Sequence, residues 1–264
     1  MSERFYCGAI QAETGSLVRL SGPEMHHLVH VMRAKVGDRV ILFDGLGREF
    51  YTELVHINKQ FAELRILSWA EVSRELPAPL WIAAALPKGD RQRWLVEKLV
   101  ELGVACFVPL ITDRSVVRPT EETLDRLRRT VVEASKQCGR NKLMEVTPPE
   151  RWNRFCVRTD LPPLRILAHP VEARKEVPPA DVASPTSATE GPFEPGQVAL
   201  SDPRQLVSGV VFAVGPEGGF SPAEVALAIA RGWRVISLGE RILRVETAAV
   251  MLASLVAGKL AGLI

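Results

Sequence analysis

The sequence is poor in aromatic residues: they make up 6% of 264 positions, and two of them are tyrosines. An RNA-binding sheet face built on stacked rings is therefore disfavoured. Four cysteines, Cys7, Cys106, Cys138 and Cys156, are too scattered for a C-x-x-C pair or a zinc-ligand spacing. The opening segment MSERFYCGAI has neither the basic stretch nor the apolar run of a secretory leader. The longest apolar stretch, Ala248 to Gly258, is too short to cross a bilayer and runs into Lys259. Together these absences predict a reduced, cytoplasmic protein with no metal site and no membrane span. Net charge is nearly absent too, at +2, so the total names no partner. Its distribution says more: residues 86–142 carry 12 basic and 8 acidic groups. That local excess suits a phosphate-bearing partner, and equally suits solvated helix faces.

Apolar residues are plentiful, at 47%, enough for a packed core. Residues 1–75 read as short strands around one inserted helix. Strands are expected at Leu17–Leu20, Arg39–Asp44, Glu49–Ile57 and Phe61–Ser68, with a turn at Asp44-Gly45-Leu46-Gly47. The helix is expected from a Ser21 cap, with Pro23 in its first turn, through Met25, Leu28, Val29 and Met32. Many short strands in so few residues suggest a small barrel. Pro77 and Pro79 mark its end.

From Leu80 the rhythm becomes strand–helix alternation, the pattern of a parallel sheet. Strands are expected at Leu80–Leu86, Cys106–Ile111, Leu164–Ala168, Val210–Val214 and Arg234–Leu238. Helices are expected at Asp90–Leu102, from Thr120 to a stop at Gly139, at Pro222–Ala230 and at Thr247–Leu260. Ser221-Pro222-Ala223-Glu224 has the capping-box spacing. Residues 173–197 are rich in Pro, Ser, Thr and Ala and read as a mobile surface loop.

Four segments carry candidate chemistry. His26-His27-Leu28-Val29-His30 resembles a zinc-protease helix, but His27 stands where the general-base Glu belongs. No nearby carboxylate or cysteine completes a metal set, so these read as surface or RNA-facing histidines. Gly215-Pro216-Glu217-Gly218-Gly219-Phe220 joins an apolar strand to a capped helix, where glycines let backbone N–H groups approach a ligand. It is neither a dinucleotide fingerprint nor a Walker loop, and a tight turn would also explain it. Leu238 to Thr247 alternates charged and apolar residues in a connection that should be short. Arg140, directly after Gly139, is a cation at a helix end, which the macrodipole alone would favour; a phosphate or base-anion contact is the functional alternative.

In their order along the chain, HHLVHVMRAKVGDRVILFDGLG, LPKGDRQRWLVEKLVELGVACFVPLITDRSVV, EASKQCGRN, AVGPEGGFSPAEV and SLGERILRVETAAV resemble the successive motifs of the ribosomal RNA small subunit methyltransferase E family, within the SPOUT superfamily. The resemblance runs from about Arg4 to Leu260. It implies an α/β fold: a SPOUT domain over residues 76–264 with a deep trefoil knot in about 164–260, preceded over residues 1–75 by a PUA-like β-barrel for RNA. It further implies S-adenosylmethionine as cofactor, methylation of N3 of a specific uridine in 16S rRNA, either naked or in the 30S subunit, and a homodimer. By the same resemblance three loops cup the cofactor. They contribute Leu167, Ala168 and His169; then Gly215, Glu217, Gly218 and Gly219; then Leu238, Gly239, Ile242, Leu243, Arg244 and Thr247. Arg140 takes the electrostatic role toward the uracil, and Arg33, Arg114 and Arg118 are candidates for phosphate contacts. No base is assigned; Glu217 and Glu246 are the obvious carboxylates. A non-enzymatic rRNA-binding assembly factor, or a nucleotide-dependent oxidoreductase, remains the alternative until cofactor binding is known.

Overall fold

The structure, a computed structural model, describes residues 3–10, 13–170 and 206–263. The Pro-rich stretch 173–197, expected to be a mobile loop, lies outside the described residues. Two compact units emerge. The N-terminal unit comprises residues 1–75 with 129–143, and the C-terminal unit 76–128 with 144–264.

In the N-terminal unit, β1 (Arg4–Tyr6), β2 (Leu17–Ser21), β3 (Arg39–Phe43), β4 (Arg48–Ile57) and β5 (Phe61–Glu71) form one sheet. Its order is β1-β3-β4-β5-β2. β1 lies parallel to β3 and the other neighbours are antiparallel. No ladder joins β1 to β2 among the described residues, so the hydrogen-bonded ring that a barrel needs is not closed there. Two register shifts in the β4–β5 ladder, at Tyr51/Thr52 and Leu54/His56, bend the long strands. Period-two burial then turns Val18, Leu20, Leu42, Phe50, Leu54, Leu64 and Ile66 inward onto Phe5 and Leu28.

The helix expected from Ser21 to Met32 is shorter and changes pitch. Helix α1 spans Gly22–His26, and His27–Val31 widens into a π-type turn closed by Met32 N–H donating to His27 O at 3.0 Å. Ser21 holds the cap position, yet its side chain makes no cap bond. The wider turn keeps both Met25 and Leu28 in the core while Val31 is left exposed.

The C-terminal unit is a parallel sheet with the order β12-β10-β11-β6-β7-β8, and β9 also pairs with β7. Its strands are β6 (Leu80–Ala85), β7 (Cys106–Ile111), β8 (Glu145–Val146), β9 (Glu150–Arg151), β10 (Leu164–Ala168), β11 (Val210–Val214) and β12 (Arg234–Ile236). The central strands are buried on both faces, as near-continuous apolar runs should be. Helices α2 (Arg91–Glu101), α3 (Glu121–Cys138), α4 (Trp152–Phe155), α5 (Pro222–Ala230) and α6 (Val245–Leu260) complete the described chain. The last turns of α3 fall in the N-terminal unit. One core cluster gathers Trp152, Phe155, Phe220 and Trp233 over the sheet. No described helix is long and apolar enough to cross a membrane.

Two boundaries differ from expectation in ways that matter for the site. β12 ends at Ile236, not Leu238, because its pairing partner β10 ends at Ala168, opposite Ile236. Ser237 and Leu238 are thereby released into a loop. α6 starts at Val245, two residues early, with Arg244 at the cap position, so Glu246 lies in the first helical turn rather than in the loop.

Candidate functional site

Parallel strands place their C-terminal ends on one edge, and ligands of open α/β sheets bind outside those ends. Here β12, β10 and β11 are neighbours, and the segments leaving all three converge on one recess. Ala168 ends β10, and His169 and Pro170 follow it; Val214 ends β11, and Gly215, Pro216, Glu217 and Gly219 follow it; Ser237, Leu238, Gly239, Arg241, Ile242 and Leu243 follow β12; Val245 and Ala248 of α6 close the wall. The recess measures roughly 510 Å³ counting the space open to solvent. His169 N–H donates to Ile236 O at 2.9 Å, which ties the first loop to the third.

The glycine loop is held at both ends. Gly219 N–H donates to Pro216 O at 2.7 Å, and Gly219 sits at φ +69°, a conformation that a side chain rarely adopts. A Cβ on Gly215 would stand 3.0 Å from the Phe220 ring, and that ring is buried against Trp152 with centroids 4.8 Å apart. The capping box forms as its spacing predicts: Glu224 N–H donates to Ser221 Oγ, and Ser221 N–H donates to Glu224 Oε2 at 2.8 Å. The other Glu224 oxygen accepts from Asp113 N–H at 2.9 Å, and its carbonyl accepts from Trp152 Nε1 at 3.0 Å. The loop is thus set before any ligand arrives, which lowers the ordering cost of binding.

Nine of the thirteen residues assigned to the cofactor by resemblance line the recess, and four do not. Leu167 is fully buried within β10. Gly218 faces away: a Cβ there would meet the Arg114 side chain at 3.4 Å, and its carbonyl accepts from Arg114 Nη1 at 2.7 Å. Arg244 holds the cap position of α6 and Thr247 lies in its first turn; both are exposed and neither lines the recess. Val214, Pro216, Ser237, Arg241, Val245 and Ala248 are additional wall residues. Their positions at strand and helix ends follow from the register, which periodicity reads only to within a few residues.

Arg91 also went unnoticed in the sequence, where it is one cation among several at the start of a helix. Its Nη1 lies 3.2 Å from Glu246 Oε1 and 3.6 Å from Glu217 Oε1, so it bridges a buried carboxylate to one that lines the recess. Glu246 is 6% exposed, and its Oε2 has no hydrogen-bond partner among the described residues.

The candidate RNA-facing cations fall elsewhere. Arg118, exposed, lines a second and more polar recess with Arg151, Asn153 and Asp113. Arg33 is exposed in the N-terminal unit and is the only described non-glycine residue at positive φ, 59°. Arg140 is 3% exposed, and its Nε and Nη2 donate to the two Glu75 oxygens at 2.8 and 2.5 Å. Those two donors face a carboxylate of the same unit. Among the described residues no group of three or more His, Cys, Asp or Glu is placed to hold a metal ion.

Comparison with known proteins bears on this geometry. The RNA methyltransferase domain profile matches residues 74–257, and the RNA methyltransferase PUA domain profile matches residues 20–67. The Ribosomal RNA small subunit methyltransferase E of Synechocystis sp. is 33% identical over 231 residues, 88% of this chain and 69% of that protein. That of Bacillus subtilis is 30% identical over 242 residues, covering 90% and 88%. Among solved structures, the putative methyltransferase Lpg2936 from Legionella pneumophila, in complex with S-adenosylmethionine, superposes with a TM-score of 0.78 at 30% identity, over 98% of each chain. The Ribosomal RNA small subunit methyltransferase E from Neisseria gonorrhoeae, also bound to S-adenosylmethionine, gives 0.77 at 27% identity over 97% and 96%.

Proposed function

The chain belongs to the ribosomal RNA small subunit methyltransferase E family, and from that premise we propose that it methylates N3 of a specific uridine in 16S rRNA. The observation that carries the reading is the recess at the ends of β12, β10 and β11, preformed by a glycine loop and walled by Leu238, Ile242 and Leu243. S-adenosylmethionine bound there supplies a methyl carbon on a sulfonium, an electrophile ready for in-line transfer. Its adenine suits the apolar side chains of Leu238, Ile242 and Leu243. The protein then contributes alignment and exclusion of water, the terms that turn a two-body reaction into a one-body one.

In this reading residues 1–75 bind RNA as a PUA-like unit, residues 76–264 carry the transfer, and the enzyme works in the cytoplasm. A trefoil knot in about 164–260 is supported by β12 pairing with β10 on the side away from β11, so the chain crosses back past β10 after leaving β11. Arg33, Arg114 and Arg118 contact phosphates. Arg140 acts on the uracil or its phosphate with Glu75 as the clamp that orients its guanidinium. A homodimer is supported by α6: Thr247, Val250, Met251, Ser254, Leu255 and Gly258 recur at helical spacing and stay at least partly exposed, a largely apolar stripe that a second copy would cover.

The test is mass spectrometry of 16S rRNA, naked and in 30S particles, after incubation with protein and S-adenosylmethionine. One added methyl on a uridine N3 is expected. RNA binding without cofactor binding or methyl transfer would instead establish the assembly-factor alternative.

A further inference from the structure

The reaction needs a group to remove the uracil N3 proton, because N3 has no lone pair to offer while it carries hydrogen. We infer that Glu246 is that base and that Arg91 is its positioning residue; this rests on the proposed uridine-N3 activity. Three carboxylates lie near the recess, and the structure separates them: Glu240, between the lining residues Gly239 and Arg241, is exposed. Glu217 is about half exposed, with its side chain open to water. Glu246 is 6% exposed, and its two oxygens have different surroundings. Oε1 is fixed by Arg91 Nη1 at 3.2 Å. Oε2 is buried with no partner among the described residues, whereas the capping groups of the neighbouring glycine loop are satisfied. A buried carboxylate oxygen left without a donor bears the full cost of its lost hydration, so its retention calls for a ligand that brings a donor.

Glu246 does not itself line the recess; its link to it runs through Arg91. Arg91 holds Glu246 and the recess residue Glu217 on a single nitrogen. Arg91 opens α2 just beyond the C-terminal end of β6, the strand beside β11, so the pair sits on the flank of the recess rather than in its floor. The recess suits the cofactor, and its flank suits the base that must meet it. In the step itself the N3–H bond breaks toward Glu246 Oε2 while the N3 electron pair bonds to the methyl carbon. The carbon–sulfur bond breaks in concert, its electrons stay on sulfur, and the proton leaves later from Glu246 to water.

The experiment uses Glu246→Gln, which keeps the shape and removes the basic oxygen. Methyl transfer to 16S rRNA at neutral pH should fall on the order of 100-fold or more. The calorimetric affinity for S-adenosylmethionine should stay within about twofold of wild type, a change worth less than ~0.5 kcal/mol. A structural role would not move the next two readouts. The rate of the variant should rise with pH more steeply than that of wild type, as N3 ionises without help. RNA carrying 5-fluorouridine at the target, whose N3 is more acidic, should restore part of the lost rate. Should Glu246→Gln be insoluble, Glu246→Asp carries the same measurements, with a smaller rate loss expected. A variant that methylates at the wild-type rate overturns the inference, as does one that loses cofactor affinity, which would put Oε2 on the cofactor. A wild-type protein that adds no N3 methyl in the same assay fails the proposed function instead, so the two failures are distinct.

Discussion

The two units bury charge to opposite ends. In the N-terminal unit Glu49 is 2% exposed and accepts from Arg4 and Arg74, each at 2.6 Å, while Arg4 also donates to Asn141. Arg140 closes on Glu75, and Lys136 reaches Glu24 at 3.0 Å. Arg4 with Asn141, Lys136 with Glu24 and Arg140 with Glu75 tie residues 129–143 to residues 1–75 as a joint, and each carboxylate is met by the protein's own cations. In the C-terminal unit the comparable pair, Arg91 with Glu246, is left one oxygen short beside a recess. Buried ion pairs seldom add much net stability, but breaking one leaves a charge stranded. Arg4 Nε and Ser135 Oγ of the N-terminal unit are also buried without a partner among the described residues, so it is the recess near Glu246, and not the missing bond alone, that points to a ligand.

Removing Arg140 should produce the largest effect. Arg140→Ala strands Glu75 and opens a hole at the joint, and about 3 kcal/mol of stability in the N-terminal unit should be lost. Cofactor affinity should stay near wild type, since Arg140 does not line the recess. Urea melts followed by calorimetry check both. If stability is unchanged and only methyl transfer falls, the joint reading is wrong and the direct role of Arg140 on the RNA stands alone.

The converse change is Gly219→Val. It forces a branched side chain into φ +69° in the recess wall. Affinity for S-adenosylmethionine should drop at least ~100-fold, about 2.7 kcal/mol, with the N-terminal unit untouched. Gly218→Val, next door but facing Arg114, should cost far less; equal losses at both would mean that the loop binds in another conformation.

The joint should also show in acid. Burial pushes the Glu49 carboxyl up, but hydrogen bonds from Arg74 and Arg4 outweigh it and hold the group below its ordinary value of 4.5. A carboxylate depressed in the folded state contributes stability above its unfolded pKa and loses it as pH falls through the folded pKa. Stability of the N-terminal unit should therefore decline on acidification past 4.5, and Glu49→Gln should flatten that slope while lowering the plateau. A slope identical in the variant would remove Glu49 as its source.

Met251→Arg, on the exposed stripe of α6, should leave the fold intact and yield monomers by light scattering. Ala253, though it looks interchangeable in sequence, is fully buried within the unit, so a change there would test packing rather than association. A Met251→Arg protein that remains dimeric would move the interface elsewhere. The smallest effect is chemical. Burial pushes Cys7 and Cys106 up to about 12 and Cys156 to about 11, so a thiol reagent should label exposed Cys138 first.

Most strands and helices were legible because their periodicity is strong: the Leu80–Ala85 and Val210–Val214 runs are wholly apolar, and α5 carries its start signal in four residues. What escaped was short. β8 and β9 have two residues each and α4 has four, too few to show a period, and β1 is a three-residue strand defined by its partner β3. The π-type turn at His27–Val31 was invisible for a related reason, since one extra residue in a helical turn leaves the pattern of apolar residues almost unchanged.

The sequence by itself singled out the glycine loop and the mixed-charge connection by local signals, and the loop after β10 by family resemblance alone; all three line the recess. It could not determine which residues of those loops face the ligand. That depends on where β12 ends, and β12 ends at Ile236 only because β10, far earlier in the chain, stops at Ala168. Nor could it pair Arg91 with Glu246, which are 155 positions apart. The charge of a side chain is local, but whether that charge is satisfied is decided by packing, and only the folded chain shows one oxygen still waiting for a donor.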